Sequence, residues 1–339
     1  MAEVTLAHGA GGGAMQELIE ECFLKAFGDL PLEEKEDQAR FNLAELGAQG
    51  GELAFTTDSF VVSPLRFPGG DIGKLAVCGT LNDLAVGGAR PLYLSAAFIL
   101  EEGLALEELH AQVASMAQAA REAGVSIVTG DTKVVERGQA DKLFITTTGI
   151  GVIPKGLALS IASARPGDKV LVTGPIGDHG AAVMLAREEL GLAGDLESDC
   201  ANLYPLLAPV LAQCPGVRAI RDATRGGLAA VLTEMAAASQ VGIALEESAL
   251  PVRSQVKALC ELLGLEPLLL ANEGMAALVV APEQAELALA LLREHPLGRQ
   301  AALVGGVRAE MPGRLWLGTA YGGQRLLELP YGLQLPRIC

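Results

Sequence analysis

Four aspartates directly follow or interrupt apolar segments of the sequence. They are Asp58 in FTTDSF, Asp83 in LNDLA, Asp131 in IVTGDTK and Asp222 in IRDATRGG. An Asp carboxylate in such surroundings is costly unless it has partners, although Asp is also common in turns and helix caps. Mg²⁺ takes oxygen ligands and usually shares them with substrate phosphates. Because Thr, Ser or Gly residues stand near the four aspartates, the pattern favours a Mg-ATP site over four unrelated caps.

Two further charged residues stand where a charge requires an explanation. Lys133 follows Asp131 by two residues at the end of a predicted strand, and Glu273 interrupts the apolar stretch LLLANEGMAALVV. Lys133 could be a solvated strand-end lysine, and Glu273 could be a turn residue between strands. The functional alternatives are a cation that faces phosphate and a base whose pKa is raised by apolar neighbours.

A glycine-rich segment lies close to the N-terminus. Gly11, Gly12 and Gly13 belong to HGAGGGA, which follows a short apolar run and precedes a helical pattern over residues 15–27. The segment satisfies G-x-G-x-x-A, but a dinucleotide fold needs an acidic residue at the end of a second strand about 20 residues later. The charged PLEEKEDQARF does not provide that strand. A flexible turn and a backbone cradle for phosphates both remain open.

The sequence ends on a thiol, in Pro336-Arg337-Ile338-Cys339. Pro336 favours an extended backbone, and the end of a chain can enter a pocket that its interior cannot. The alternative is an unpaired cysteine without a function, although exposed free thiols are rarely tolerated. The other cysteines show no C-x-x-C spacing, which indicates reduced and mostly buried thiols.

The elements that must position these residues alternate between strands and helices. In the N-terminal half the pattern predicts strands at 53–57, 93–99, 125–129 and 143–153, and helices at 72–86 and 106–123. A second unit opens with a strand at 168–173, after the turn signal Ala164-Arg165-Pro166-Gly167. The sequence therefore predicts an α/β or α+β protein of two domains, residues 1–155 and 156–318, with a flexible extended tail over 319–339.

Composition supports two domains and excludes some partners. At 339 residues the chain exceeds the size at which one hydrophobic core stops growing. Its formal net charge of -16 opposes binding to nucleic acid or to anionic lipid surfaces. We find no basic segment followed by a long apolar run, and no apolar run of about 20 residues, so we expect no membrane span and a cytoplasmic location.

Several of these segments together resemble the HypE family of hydrogenase maturation factors. The resemblance spans essentially the whole chain, and the family is part of the superfamily of aminoimidazole ribonucleotide synthetase and selenophosphate synthetase. The segments that carry it are HGAGGGAM at 8–15, residues 56–91, TGDTKVV at 129–135, RDATRGGLA at 221–229, ANEG at 271–274 and the final PRIC. The final PRIC separates this family from its relatives.

The resemblance implies a fold and a set of partners. The sheet of the N-terminal domain would pair with that of a second protomer into a barrel, beside a C-terminal α/β domain, with ATP bound near the dimer interface. A carbamoyltransferase, HypF, would load Cys339, and a complex of HypC and HypD would take the finished cyanide for an iron centre. Nucleotide contacts would come from Gly11, Gly12, Gly13, Lys74, Asn82, Thr132 and Arg225.

The implied reaction is the ATP-dependent dehydration of a thiocarbamate on Cys339 to a thiocyanate. Mg²⁺ held by Asp58, Asp83, Asp131 and Asp222, with Lys133 as a further cation, would neutralise charge during phosphoryl transfer. Glu273 would remove protons from nitrogen. Two alternatives stay open: another ATP-dependent enzyme of the superfamily that acts on a free small-molecule amide, and a non-catalytic thiol carrier or scaffold.

Overall fold

The computed structural model describes residues 3–10, 13–27, 41–187, 194–329 and 338–339. Within these ranges the chain forms two α/β halves, which agrees with the predicted fold class. The predicted helices over 72–86 and 106–123 and the strand over 143–153 are confirmed at the same bounds, as Ile72–Val86, Leu106–Ala123 and Leu143–Ile153.

The N-terminal half packs helices on one face of a mixed sheet. Its helices are α1 (Gly13–Leu18), a π-helical turn (Ile19–Leu24), α2 (Lys25–Phe27), α3 (Leu43–Gln49), α4 (Ile72–Val86) and α5 (Leu106–Ala123). Its strands are β1 (Glu52–Phe60), β2 (Arg66–Phe67), β3 (Gly70–Asp71), β4 (Arg90–Glu101), β5 (Ser126–Val135) and β6 (Leu143–Ile153). Among the described residues, the main sheet has the order β1-β6-β4-β5, so β1 and β5 are its two edges.

Three of the strands extend beyond their predicted bounds because sheet pairing continues into polar sequence. Strand β5 reaches Val135 instead of residue 129, and it pairs in parallel with β4 as far as Glu101–Val135. As a result, Asp131 and Lys133 lie within an edge strand rather than beyond its end.

The two faces of this sheet differ in what covers them. Residues of β4 that face α4 and α5 are buried, including Leu94, Ala96, Phe98 and Leu100. The opposite face is open in the single chain and carries large apolar side chains: Leu53 and Phe55 of β1 are 61% and 69% exposed, and Ile99 of β4 is 41% exposed.

The C-terminal half surrounds a larger mixed sheet. Its strands are β7 (Lys169–Val172), β8 (Val217–Asp222), β9 (Gly242–Glu246), β10 (Ala276–Val280), β11 (Ala302–Arg308), β12 (Leu315–Gly318) and β13 (Gln324–Leu327). In the described chain they follow the order β13-β12-β9-β11-β7-β10-β8. Its helices are α6 (Asp178–Ala186), α7 (Tyr204–Gln213), α8 (Gly227–Ser239), α9 (Ser254–Leu263) and α10 (Ala285–Glu294), with short 3-10 turns between them.

The C-terminal half buries a core of its own around Val172, Leu232 and Val279, and two further hydrophobic clusters are shared between the halves. Residues of α6 and α9, such as Ala181, Val183 and Val256, pack into the same cluster as Phe60 and Leu75 of the N-terminal half. Ala85 and Val86 at the end of α4 pack against α7 and α10. The end of α4 and the end of β1 are therefore fixed against the C-terminal half.

The predicted tail over 319–339 is only partly a separate segment. Strand β13 pairs antiparallel with β12 from Leu315–Leu327 to Gly318–Gln324, so the tail begins as an edge hairpin of the larger sheet. Residues 324–327, QRLL, form this short strand through pairing with β12, which no local pattern in the tail predicts. Pro336 and Arg337 lie outside the described residues, whereas Ile338 is buried and contacts the N-terminal core. Among the described residues, we find no helix long and apolar enough to cross a membrane.

Candidate functional site

Three of the four predicted metal-binding aspartates lie together where the two halves meet. Asp58 is on β1 opposite Thr147, whose hydroxyl donates to the Ala76 carbonyl of α4 at 3.0 Å, so this side of β1 faces α4. Asp83 lies in the last turn of α4 and accepts a hydrogen bond from the Thr56 hydroxyl at 2.8 Å. Asp222 ends strand β8. Two strands and a helix thus bring these carboxylates to one cleft.

These carboxylates repel one another in a partly dehydrated cleft. Burial is the largest cause that raises the pKa of Asp58, Asp83 and Asp222. The neighbouring Asp83 raises the pKa of Asp222 further, to about 7. A cation placed between them would relieve this repulsion and restore the ionised forms.

The three aspartates fit a cation that is also bound by substrate phosphates better than a metal site formed by protein side chains alone. Among the described residues, no group of three or more His, Cys, Asp or Glu side chains is arranged to hold a metal ion by itself. Mg²⁺ usually binds proteins through one or two carboxylates and completes its coordination with substrate phosphates and water. The donor set here therefore fits Mg²⁺ that arrives with a nucleotide.

The structure separates the fourth aspartate from this group. Asp131 lies on β5, the opposite edge of the sheet from β1, and three strand spacings amount to about 14 Å. Its cross-strand partner is Ala97, on the open face, and it forms an ion pair with Lys133 at 2.6 Å. Within one chain, the predicted joint action of Asp131 and Lys133 with the other three aspartates is not observed.

Thr132, which we expected to contact nucleotide together with these two residues, points the other way. Successive side chains of a strand alternate between faces, and Thr132 pairs with the buried Phe98 on the helix-covered face. Its side chain is only 5% exposed. Residues adjacent in a strand cannot all face one ligand, and our sequence prediction overlooked that constraint.

Glu273 occupies the inner wall of the same cleft. Its side chain is 2% exposed, and its Oε1 atom is buried without a hydrogen-bond partner in the described chain. Burial, followed by the charges of Asp222 and Asp199, holds the pKa of Glu273 well above the usual range. The predicted rise in the pKa of Glu273 is confirmed, although neighbouring carboxylates contribute to it as well as burial among apolar residues. A buried carboxylate with a raised pKa of this kind is a candidate general base.

The backbone around Glu273 is fixed by two polar side chains. Asp199 accepts a hydrogen bond from the Glu273 amide at 3.0 Å and from the Asn272 side chain at 2.7 Å. Asn82 donates to the Glu273 carbonyl at 3.0 Å. A Cβ at Gly274 would lie 1.8 Å from the Asp199 carbonyl oxygen, so no larger residue fits there.

Two predicted nucleotide contacts are engaged with the protein instead. Besides Glu273, the Asn82 amide binds the Ala201 carbonyl at 3.0 Å and accepts from the Leu203 amide at 2.8 Å. The Lys74 ammonium donates to the Gly69 carbonyl at 3.0 Å. In this conformation Asn82 positions the Glu273 loop, and Lys74 stabilises the turn before α4.

The glycine-rich segment is described only in part. Gly11 and Gly12 lie outside the described residues, and Gly13 is the first residue of α1. Arg225 is exposed in the loop before α8. Its charge lowers the pKa of Asp58 and of Cys339, although the larger effect of burial leaves both raised. This guanidinium therefore faces the cleft and is available to an anionic ligand.

Cys339 lies in the cleft beside these groups. The Val61 amide donates to the Cys339 backbone oxygen at 3.2 Å, and a ring nitrogen of His179 bonds the Ile338 carbonyl at 2.9 Å. Burial raises the pKa of the Cys339 thiol to about 12, with smaller contributions from Glu273 and Asp58 that outweigh Arg225. The last residue of the sequence is thus in the same pocket as residues more than sixty positions away.

Three residues of this site were missed by our reading of the sequence: His179, Ser198 and Asp199. His179 is one of four histidines and, with Asp178, is one of two polar side chains in the apolar helix α6, which was the available signal. Ser198 and Asp199 follow a short polar stretch that resembles any loop. Their roles depend on contacts with residues distant in sequence, which no local pattern reveals.

Comparison with known proteins agrees with this geometry. Models of AIR synthase related proteins match residues 35–153 for the N-terminal domain and 165–317 for the C-terminal domain. The chain is 56% identical over 339 residues to the carbamoyl dehydratase HypE of Escherichia coli (strain K12), covering 100% of both. It is 55% identical over 336 residues to that of Rhodobacter capsulatus, covering 99% of this chain and 98% of the relative.

Solved structures with the same architecture include two complexes. A HypE crystal structure in complex with ATP superposes with a TM-score of 0.92 at 49% identity, covering 98% of this chain and 99% of that one. The HypE chain of a HypE–HypF complex superposes with a TM-score of 0.80 at 46% identity, covering 94% and 100%.

Proposed function

Because the chain belongs to the HypE family of carbamoyl dehydratases, we propose that it uses ATP to dehydrate a thiocarbamate on Cys339 to a thiocyanate. The observation that carries this proposal is the position of Cys339 in the carboxylate cleft, close enough to Glu273 and Asp58 for both to raise its thiol pKa. In this family's reaction the substrate would be a carbamoyl group attached to the enzyme. A C-terminal tail that lies in the cleft would carry such a group to the reacting residues.

The reaction needs phosphate to carry the oxygen away. Oxide is a very poor leaving group, so the carbamoyl oxygen of Cys-S-C(=O)-NH2 first attacks the γ-phosphorus of ATP and releases ADP. Loss of two protons from nitrogen and departure of phosphate then leave Cys-S-C≡N. The oxygen of the formal water molecule leaves in the phosphate, so atoms balance.

The residues of the cleft suit these steps. Asp58, Asp83 and Asp222 would hold Mg²⁺, which supplies charge neutralisation at the phosphates when bound. Arg225 would contribute a further positive charge from the loop before α8. Glu273, with its raised pKa and an Oε1 atom that no described residue binds, would accept protons from the carbamoyl nitrogen. Its neighbour Asn82 would keep the Glu273 loop in place.

Asp83→Asn is expected to abolish ATP turnover while the fold remains intact. Asparagine keeps the shape and can still interact with Thr56, but it removes one anionic oxygen from the proposed cation site. Removing a group that stabilises charge in a transition state lowers kcat by about 10²-fold or more. The measurement is ATP hydrolysis by the carbamoylated protein, with thermal unfolding as the test of folding.

A matched control is Asp195→Asn, which alters an exposed aspartate outside the cleft. It should hydrolyse ATP at the wild-type rate. Normal hydrolysis by a well-folded Asp83→Asn protein would contradict the assignment of Asp83 to the cation site.

We also propose a homodimer built on the open face of the N-terminal sheet. Leu53 and Phe55 leave a large apolar area uncovered in the single chain, and exposed apolar patches of this kind mark association surfaces. Asp131 and Lys133 lie on that face, so a second protomer packed against it would bring them to the interface. Their predicted roles are retained here as part of the dimer proposal.

Phe55→Asp is expected to shift the protein to monomer at micromolar concentration. A carboxylate on the apolar face would have to be buried without a partner in the dimer. Sedimentation velocity measures the outcome. Leu262→Asp is the matched control, because Leu262 on α9 is similarly exposed, at 65% against 69% for Phe55. A wild-type protein that sediments only as monomer, or a Phe55→Asp protein that stays dimeric, would contradict the proposed interface.

The proposed partners follow from the reaction. A carbamoyltransferase of the HypF kind would load Cys339, consistent with the similarity to the HypE–HypF complex. A HypC–HypD complex would accept the cyanide as a ligand for the iron of [NiFe] hydrogenase.

One mass measurement distinguishes this proposal from the two alternative functions, an enzyme that acts on a free amide and a non-catalytic thiol carrier. The peptide that contains Cys339 should gain a carbamoyl group with donor and carbamoyltransferase, and should then lose the mass of water only after ATP is added.

A further inference from the structure

We propose that His179, held by Ser198, is the positioning residue that seats Ile338 and Cys339 in the cleft. His179 is fully buried on α6, with 0% of its surface exposed, and its Nε2 atom lies 2.9 Å from the Ile338 carbonyl oxygen. The inference rests on the proposed function and extends it to the residue that determines where the substrate-bearing tail lies.

The hydrogen-bond pattern assigns a direction to each bond. A carbonyl oxygen only accepts, so Nε2 of His179 carries the hydrogen, and Nδ1 of the neutral ring must accept. The Ser198 hydroxyl, 2.8 Å from Nδ1, therefore donates to it. The Ser198 oxygen in turn accepts from the Cys200 amide at 3.1 Å. Ser198 thus selects the tautomer that binds Ile338.

Burial maintains this neutral form. It lowers the pKa of His179 to about 4, against a smaller opposing effect of the Ile338 carbonyl. The ring of Phe67 packs nearly perpendicular to the imidazole, at a centroid distance of 5.3 Å and an interplanar angle of 87°. The imidazole is therefore fixed in orientation as well as in protonation, as a positioning group must be.

The same short segment fixes the proposed base. Ser198 contacts His179, and the adjacent Asp199 accepts from the Glu273 amide at 3.0 Å. Ser198 is itself anchored, since its amide donates to the Pro68 carbonyl at 2.8 Å. Two neighbouring residues of one loop therefore set the positions of both the tail and Glu273, which must approach each other during dehydration.

The test separates the hydrogen bond from simple space filling. His179→Phe fills the cavity without a donor, whereas His179→Gln keeps a nitrogen donor near the position of Nε2. His110→Gln, on the exposed side of α5, is the control. The full-length proteins are pulsed with iodoacetamide, and mass spectrometry follows alkylation of Cys339.

We expect His179→Phe to increase the alkylation rate roughly 5- to 30-fold, the change in an equilibrium that follows from losing one buried hydrogen bond. His179→Gln should remain close to wild type, as should His110→Gln. Ser198→Ala, which leaves the His179 tautomer unselected, should give a smaller increase. In the carbamoylated protein, His179→Phe should slow thiocyanate formation at saturating ATP and leave the KM for ATP unchanged.

Two results would overturn the proposal: wild-type alkylation of Cys339 in a folded His179→Phe protein, or equal acceleration in the Phe and Gln variants. The alkylation assay needs no ATP and no carbamoyl group. If wild-type protein forms no thiocyanate, the proposed function fails, while the alkylation rates still decide whether His179 seats the tail.

Discussion

Glu273→Gln is expected to slow the dehydration of carbamoylated Cys339 by about 10²- to 10⁴-fold, the usual contribution of a positioned general base. Glutamine has nearly the shape of a protonated glutamic acid, so the buried site keeps its packing while it loses the ability to accept a proton. The hydrogen bond that Asn82 donates to the carbonyl of residue 273 and the one that Asp199 accepts from its amide involve only the backbone and remain in place. ATP affinity should be unchanged. Single-turnover formation of thiocyanate, measured by mass spectrometry of the Cys339 peptide, gives the result.

The pH dependence of this rate gives a second readout. The pKa of Glu273 lies well above the usual range because of burial and neighbouring carboxylates. A base acts only when deprotonated, so the rate should rise with pH as Glu273 ionises. In Glu273→Gln this dependence should disappear. Glu261→Gln, on the exposed surface of α9, should retain the wild-type rate and profile. A Glu273→Gln protein with a normal rate would show that another group removes the protons.

Apolar segments of clear length and composition made much of the fold predictable. Helices α4 and α5 begin and end at the predicted residues, and in the structure Asp71 caps α4 by accepting a 2.9 Å hydrogen bond from the Lys74 amide. Strand β5 was predicted too short because pairing with β4 extends through Asp131 and Lys133. Sheet pairing depends on a neighbouring strand, and a local pattern does not contain that neighbour.

The site was predictable where chemistry alone identifies a residue. Asp58, Asp83 and Asp222 stood out because a carboxylate in apolar sequence needs partners, and the fold brings them together. Asp131 satisfied the same rule but found its partner locally, in Lys133. Asn82 looked like a ligand contact, yet its amide holds the Glu273 loop. Residue type indicates that a polar group needs a partner, whereas the fold decides whether that partner is protein or ligand.

Removing Cys339 is expected to abolish product entirely while leaving ATP binding nearly unchanged. The proposed cation ligands belong to β1, α4 and β8, and each of these elements has other partners: β1 pairs with β6, β8 pairs with β10, and α4 packs in clusters shared by both halves. Without the thiol there is no carbamoyl oxygen to accept a phosphoryl group, so ATP turnover should stop as well. Equilibrium binding of ATP in the presence of Mg²⁺ and mass spectrometry of the whole protein measure the two outcomes.

Cys339→Ser tests whether the reaction needs sulfur at residue 339 or only a side chain placed there. The hydroxyl occupies nearly the same place in the pocket, and the bonds from Val61 and His179 to the backbone can still form. An oxygen carbamate could form slowly, but transfer of cyanide from oxygen should fail. Cys214→Ala removes a buried thiol from the C-terminal core and is the matched control, which should still form thiocyanate on Cys339. A nitrile on any other residue of the protein that lacks Cys339 would overturn the assignment, because the cleft would then process a carbamoyl group that the tail does not carry.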